Sequence, residues 1–345
     1  MDERLKDLIS KAVSRRSFLA GAGSAAAVTV VAGCGSNSTP TPTVTTTPTP
    51  TATPAPTAAV LTDADVLTFA LNLEYLEAEF YLRAATGSGL SATDSGNSTT
   101  SVTVPSTTLI PNLTTAQKNY IYEIAQNELD HVRFLRAALT AAGVTPISRP
   151  EIDLMTSFSG AATLAGIPNG SAFNPFASYE AFLVGAFVFE DVGVTAYAGA
   201  AGLLTSKAYL AAAASILAVE AYHAGEIRTL LVQDSVANAT TANGTVSPNN
   251  TYIGYANMIS ALRAEVGGGM ETPITPLPPY STPFNPKTYK PASSIVAANA
   301  TNSIGFARTT DQVLHIVYAT APGAGVRGGG FFPSGLNGAI SVTKA

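Results

Sequence analysis

The sequence is poor in cysteine. Cys34 is the single cysteine among 345 residues. A disulfide framework within the chain, a zinc site built on CxxC pairs and an iron–sulfur cluster all need several cysteine sulfurs, so each of them is excluded. Any metal chemistry must therefore depend on carboxylates and histidines.

Charge is also scarce. Only 12% of residues are charged, about half of the usual share, and the formal net charge is −5 with a sequence pI of about 5.2. Such a chain offers little to nucleic-acid phosphates, so we expect no nucleic-acid partner. By contrast, 46% of residues are hydrophobic and the mean hydropathy is +0.24. A chain of this length and composition folds around a core.

Residues 1–33 have the layout of an export signal, with Arg15 and Arg16 ahead of a run rich in Ala, Val and Gly. The segment SRRSFL at 14–19 resembles a twin-arginine signal, and the segment VAGC ending at Cys34 resembles a bacterial lipobox. The resemblance implies a lipoprotein that is exported already folded, with any cofactor acquired inside the cell, and is held on the periplasmic side of the membrane by a lipid on Cys34. The alternatives are an uncleaved anchor or a buried free cysteine, although the run has roughly 16 residues where a spanning helix needs about 20.

Residues 34–60 are rich in Ser, Thr and Pro and have few large apolar side chains. They predict an extended tether between the membrane and a folded domain. No later apolar run reaches 18 residues without a charge, so the lipid would be the only anchor.

From residue 61 to residue 235 the apolar residues recur at helical spacing. Start signals such as Thr114 with Gln117, and stop signals such as Gly87, divide this region into long helices. Their length of roughly 25 to 30 residues is that of the helices in a four-helix bundle, and we predict an all-α fold with a long crossover at 143–174. The predicted helices are 61–87, 114–143, 175–202 (with Pro175 in its first turn) and 205–235.

Residues able to carry chemistry recur in the two halves of this region with the same spacing. In the first and third helices a Glu precedes a Tyr by seven positions, and in the second and fourth a Glu precedes a His by three. A duplicated helical hairpin is the simplest explanation. The residues are Glu74, Tyr81, Glu128 and His131 in the first half, and Glu190, Tyr197, Glu220 and His223 in the second.

Residues three apart share one face of a helix, so each Glu-x-x-His pair presents an oxygen and a nitrogen ligand side by side. If the halves pair, four carboxylates and two imidazoles meet, and facing carboxylates in a core are costly unless cations lie between them. Two divalent ions fit this set, with iron or manganese suited to the donors and positions left open for oxygen, peroxide or water. Surface residues or half-buried salt bridges are the alternative, which the apolar surroundings of Glu74, Glu190 and Glu220 disfavour.

The arrangement over 61–235 resembles the ferritin-like di-metal carboxylate superfamily. The resemblance implies two Fe or Mn ions, with Glu128 and Glu220 bridging them. It also implies that Tyr81 and Tyr197 match tyrosines which, in ferritins and rubrerythrins, hydrogen-bond to ligand carboxylates; ordinary core aromatics are the alternative. The implied ligands are Glu74, Glu128, His131, Glu190, Glu220 and His223.

Several acidic residues near these positions have open roles. Glu77 lies on the same helix face as Glu74 and could replace or supplement it, although the repeat aligns it with Gly193. We expect Glu226 to lie on a solvent-facing side of its helix rather than to supply an extra carboxylate to the site. Asp130 and Asp191 adjoin ligand positions and could be partners of an imidazole or plain surface groups.

We predict that residues 236–345 form an extension that packs on the bundle. A short helix is expected at 252–265, a capped amphipathic helix at 306–318, and a glycine loop with buried aromatics at 328–338. The last two resemble the C-terminal segment of desiccation-related ferritin-like proteins of plants and bacteria. Ferritin cages use a bare bundle, so we do not expect a shell.

Two further sequence features give little indication of a functional site. The segment 323–328 matches GxGxxG, but it lies too near the C-terminus for a βαβ unit, so no nucleotide is expected. His315 lies between apolar neighbours on the predicted tail helix and reads as a core histidine.

These observations predict an exported di-iron or di-manganese protein that reacts with oxygen or peroxide, by Fe(II) oxidation or by peroxide removal that protects the cell envelope. The alternative is a non-catalytic envelope protein in which the bundle is a scaffold that binds a partner or protects during drying. A substrate oxygenase is a third possibility, for which the sequence shows no pocket signature.

Overall fold

The computed structural model describes residues 60–237, 251–274, 295–323 and 325–344. The predicted export signal, Cys34 and nearly all of the predicted tether lie outside the described residues. Seven α-helices occur in the described part of the chain. They are α1 (Asp63–Thr86), α2 (Thr115–Ala141), α3 (Thr156–Leu164), α4 (Tyr179–Ala200), α5 (Lys207–Ala237), α6 (Thr251–Gly267) and α7 (Thr310–Val317).

The long helices begin where their sequences offer capping side chains. Thr62 caps α1 in a reciprocal box with Asp65, and Thr114 caps α2 with Gln117. The predicted start of the third long helix was too early: α4 begins at Tyr179, capped by the Ser178 hydroxyl, and not near Pro175. Both residues are common at helix starts, and here the Ser side chain satisfies a free backbone N–H that a proline ring cannot.

Helices α1, α2, α4 and α5 form the predicted all-α bundle. α1 packs along α2, α4 packs along α5, and α1 contacts α4. A helical segment at Tyr179–Leu203 is long and apolar enough to span a membrane by those two criteria, but 89% of its apolar window is buried within the protein. This burial is what a core helix shows.

The crossover between the two halves contains structure that periodicity did not predict. It includes α3 and the two-residue strand β2 (Ile152–Asp153), which pairs in parallel with β1 (Val102–Thr103) from the loop after α1. The Asp153 carboxylate accepts hydrogen bonds from the backbone N–H groups of Met155 and Thr156 at 2.8 and 2.7 Å, which helps to begin α3.

The described part of the extension packs on the bundle, chiefly on α4. Helix α6 contacts α4 and α5, and α7 contacts α4 and α6. Thr309 caps α7 with Gln312, as the sequence predicts. In the glycine loop Phe331 and Phe332 are buried, and the ring of Phe331 packs edge-on against that of Phe189 in α4.

Buried arginines fasten the extension to α4. Arg263 lies within 2.9 Å of Asp191 and 2.7 Å of Glu271, and Arg228 lies within 2.8 Å of Asp191. Arg308 pairs with Glu271 at 2.5 Å and donates to the Thr195 hydroxyl at 2.8 Å. Burying these charges is costly unless every one is paired, so the network specifies how the extension sits on the bundle.

Candidate metal centre

The structure brings all six candidate ligands together inside the bundle. Glu74 lies on α1, Glu190 on α4, and the two Glu-x-x-His pairs on α2 and α5, so each of the four helices supplies at least one donor. All six are buried, and the most exposed of them, His131, retains 9% of its accessible surface. Carboxylates so deeply buried need cations or protons among them.

Two groups of donors could each hold a metal ion. In the first, His131 Nδ1 lies 3.2 Å from Glu74 Oε2, 3.3 Å from Glu128 Oε2 and 3.4 Å from Glu220 Oε1. In the second, His223 Nδ1 lies 2.9 Å from Glu128 Oε1 and 3.5 Å from Glu190 Oε2. Within each group the donor atoms lie within 4.8 Å of one another.

Glu128 belongs to both groups, one oxygen facing each histidine. A carboxylate in this position would be able to hold an ion in either group. The implied bridging role of Glu220 is not seen in the same form, because Glu220 joins only the first group.

The donor set fits cations because several buried donor atoms have no hydrogen-bond partner. They include both oxygens of Glu220, one oxygen each of Glu128 and Glu190, and Nδ1 of His223. Although His223 Nδ1 and Glu128 Oε1 lie only 2.9 Å apart, the pair lacks hydrogen-bond geometry. Burying such atoms without a hydrogen-bond partner destabilises the fold, and coordination of a metal ion would offset this cost.

The pKa values of the metal-free cluster also indicate a site that fits cations. Burial raises the pKa of Glu74 to about 7, and burial and neighbouring carboxylates raise the pKa of Glu220 well above its usual value. For Glu128, burial is outweighed by the closeness of His131 and His223, so its pKa is lowered to about 2. For His223, burial is outweighed by Glu190 and Glu128, and its pKa is raised to about 11. The raised pKa values of Glu74, Glu220 and His223 favour protons in the metal-free centre, which metal ions would displace.

Two tyrosines cross between the halves of the bundle. Tyr81 of α1 donates a hydrogen bond to Glu190 Oε1 of α4, and Tyr197 of α4 donates one to Glu74 Oε1 of α1. Both tyrosines are buried. Each hydroxyl holds one carboxylate oxygen of a candidate ligand, so the other oxygen can face the metal.

Asn127 is a neighbour of the centre that sequence reasoning missed. Its Oδ1 lies 3.0 Å from His223 Nε2. The imidazole Nε2–H donates to this oxygen, since a carbonyl oxygen only accepts, and Nδ1 is then free to bind a metal. The residue directly precedes Glu128, but no repeat flags it, because Val219 stands at the equivalent place in α5.

Glu77 lies beside the donor groups and in neither of them. It is 4% exposed, and burial together with Glu220 raises its pKa well above the usual range. A Cβ added at Gly193 would lie 2.4 Å from Glu220 Oε2 and 3.2 Å from Glu77 Oε1. The two carboxylates therefore share the space that this missing side chain leaves, and Glu74 rather than Glu77 belongs to a donor group.

The remaining acidic candidates lie outside the donor groups. Asp130 is exposed near Arg133, whereas Asp191 is buried in the arginine network and is neither an imidazole partner nor a surface group. Glu226 is partly buried, and burial raises its pKa. His315 is buried and its Nδ1 donates to the Thr320 carbonyl at 3.2 Å, as expected of a core histidine.

Similarity to known proteins agrees with the fold. Residues 62–233 match the ferritin-like domain family. The chain is 30% identical over 268 residues to desiccation-related protein PCC13-62 from Craterostigma plantagineum, covering 75% of this chain and 79% of that protein. It is 28% identical over 283 residues to ferritin-like catalase Nec2 from Nesocodon mauritianus, covering 81% and 85%. Both similarities reach beyond the bundle, and the chain therefore belongs to the ferritin-like proteins, within the desiccation-related group.

Proposed function

We propose that this ferritin-like protein binds two iron or manganese ions and uses them to convert hydrogen peroxide to water and dioxygen. The observation that carries the proposal is the pair of adjacent donor groups that share Glu128. Two divalent ions would balance the charge of Glu74, Glu128, Glu190 and Glu220. The similarity to a protein named as a ferritin-like catalase favours peroxide over other oxidants.

The bound ions would supply electron exchange with the oxidant. Two molecules of peroxide then give two of water and one of dioxygen, so no outside reductant is needed. Side chains must hold and move protons during this conversion. Glu77 suits that role, because it is buried beside Glu220, belongs to neither donor group, and has a pKa raised by burial.

Tyr81, Tyr197 and Asn127 position the ligands. The two hydroxyls fix Glu190 and Glu74, and the Asn127 amide sets the tautomer of His223. Partners of this kind raise metal affinity by keeping each donor in place before the metal arrives.

We further propose export by a twin-arginine route, lipidation at Cys34 and location at the cell envelope, which the signal-like residues 1–33 support. Export in the folded state suits a protein that loads its metal inside the cell. A Cys34→Ala variant should leave the membrane fraction of a bacterial host, whereas the unaltered protein stays in it, with the mass of the mature N-terminus reporting the lipid.

The decisive experiment is elemental analysis of residues 59–345 purified from the cytoplasm, beside a His131→Ala, His223→Ala double variant. We expect about two iron or manganese ions per chain in the parent and fewer than 0.5 in the variant, from the two donor groups. Peroxide consumption should follow the metal content and be lost in Glu128→Ala. Fewer than one ion per parent chain after exposure to Fe(II) and to Mn(II) would contradict the proposal.

The second candidate is a non-catalytic protective protein, favoured by the similarity to a desiccation-related protein. In that case the metal ions would stabilise the packing of the four helices and take part in no reaction. Full metal content with no turnover of peroxide or dioxygen would select this function, whereas turnover that disappears in Glu128→Ala would exclude it.

A further inference from the structure

A small cavity lies between the bundle and the extension. It has a volume of about 20 Å³ and is lined by residues of α1 and α4 together with Ile316, Val317 and Phe331 of the extension. Apart from Glu77, every side chain that lines it is apolar, and Gly193 forms part of its wall. A cavity of this volume holds one water-sized or diatomic molecule.

The cavity borders the candidate metal centre at Gly193. The face of Gly193 that lacks a side chain lies against Glu220 of the first donor group and against Glu77. A glycine inside a helix costs about 1 kcal/mol relative to alanine. Its position here lets the carboxylates of Glu220 and Glu77 lie directly behind the cavity wall, in the space that a side chain would fill.

The extension holds this part of α4 in place from both sides of Gly193. Two residues before it, Asp191 binds Arg263 of α6 at 2.9 Å. Two residues after it, Thr195 accepts hydrogen bonds from the Arg308 backbone N–H at 2.9 Å and from its guanidinium at 2.8 Å. Residues outside the range 62–233 therefore complete the wall of the cavity and hold its α4 side in place.

We propose that this cavity binds a small uncharged oxidant of two heavy atoms, hydrogen peroxide or dioxygen, beside the metal centre, so that the extension is part of the active site. This inference rests on the proposed function. An apolar wall offers an ion no counter-charge, so an uncharged ligand is favoured. The volume excludes organic peroxides, which are larger.

Nitric oxide, an uncharged diatomic molecule, can test access without turnover. The protein is loaded anaerobically with Fe(II), and the rate of nitric oxide binding is followed by visible absorbance and electron paramagnetic resonance. Val317→Leu and Val188→Leu narrow the cavity from two different helices. The control is Val313→Leu, an equally buried site in α7 that does not line the cavity.

We expect binding at least tenfold slower in Val317→Leu and Val188→Leu and unchanged in Val313→Leu, with iron content equal throughout. Ile316→Ala enlarges the cavity, so it should speed nitric oxide binding and admit tert-butyl hydroperoxide. This variant tests the proposal if Val317→Leu and Val188→Leu fail to fold. The rates at which the variants consume peroxide and dioxygen then show which oxidant uses the cavity. Equal nitric oxide rates in iron-loaded variants would overturn the proposal that the cavity binds the oxidant and leave the proposed function intact. A parent protein that retains neither iron nor manganese would overturn both.

Discussion

Tyr197 donates its hydroxyl hydrogen bond to Glu74 on the opposite half of the bundle. Tyr81 and Glu190 make the reciprocal bond, so each half of the repeat positions a carboxylate of the other half. The duplicated pattern thus yields one shared centre rather than two separate sites.

The first prediction follows from these bonds. Tyr197→Phe removes the donor and frees Glu74 to turn away, so we expect metal affinity to fall 10- to 100-fold. Competition with a chromophoric chelator measures the change. Tyr75→Phe is the matched control, because its hydroxyl bonds to the Ile147 carbonyl away from the centre. Equal losses in the two variants would assign the effect to general destabilisation.

Much of this centre could be predicted from the sequence because its signals are local. Glu128 and His131 share a helix face by spacing alone, and the repeat selects Glu74 and Glu190. The all-α bundle was predicted for the same reason, since helical periodicity extends over some 25 residues in each long helix.

What the sequence did not predict depends on packing between distant segments. Asn127 meets His223 across 96 positions, and Arg308 meets Thr195 across 113. The cavity at Gly193 is likewise formed by segments that no spacing rule relates. Helix α3 was missed because it has only nine residues, too few for a clear periodic pattern.

Asn127→Ala should weaken metal binding in the second donor group. Without the amide oxygen, His223 loses the bond that keeps its proton on Nε2, and we expect a 10- to 100-fold weaker site there. A calorimetric metal titration that resolves two binding events measures this. Gln126→Ala serves as the control, since that side chain bonds to exposed Asp130. An unchanged second event would refute the positioning role.

Gly193→Ala should expel metal from the centre. The added Cβ would lie 2.4 Å from Glu220 Oε2, so the carboxylate must move. We expect a loss of about one ion per chain, read by elemental analysis. Gly225→Ala is the control, because a Cβ there meets nothing within 4 Å and stabilises the helix by about 1 kcal/mol. Full metal content in Gly193→Ala would contradict the prediction.

The metal-free protein should lose stability as pH rises from 5 to 8. Burial raises the pKa of Glu74 to about 7, and neighbouring acids raise that of His223 to about 11. A group with a raised pKa stabilises the fold fully below its unfolded value, and this contribution is lost as pH rises through the folded value. Each such group lowers the free energy of unfolding by about 1.4 kcal/mol per pH unit between its two pKa values.

Urea denaturation at several pH values measures this dependence. Glu128 acts in the opposite direction, because its pKa is lowered to about 2, but its contribution is lost only below its ordinary value of 4.5. The metal-loaded protein is the comparison, and its stability should rise with pH because metal binding releases protons. A metal-free protein that gains stability between pH 5 and 8 would show that protons do not occupy the centre.

Arg308→Met should destabilise the fold by about 3 to 5 kcal/mol, the usual cost of removing one partner from a buried ion pair. The guanidinium pairs with Glu271 within the extension and bonds to Thr195 of α4, so the second of these contacts joins the extension to the bundle. Arg133→Met is the control: its side chain is 50% exposed beside Asp94, where an ion pair contributes at most about 1 kcal/mol. Urea unfolding of both metal-free variants at one pH compares them. If the two losses were equal, the arginine network would contribute no more than a surface ion pair, and the extension would be held on α4 by its apolar contacts.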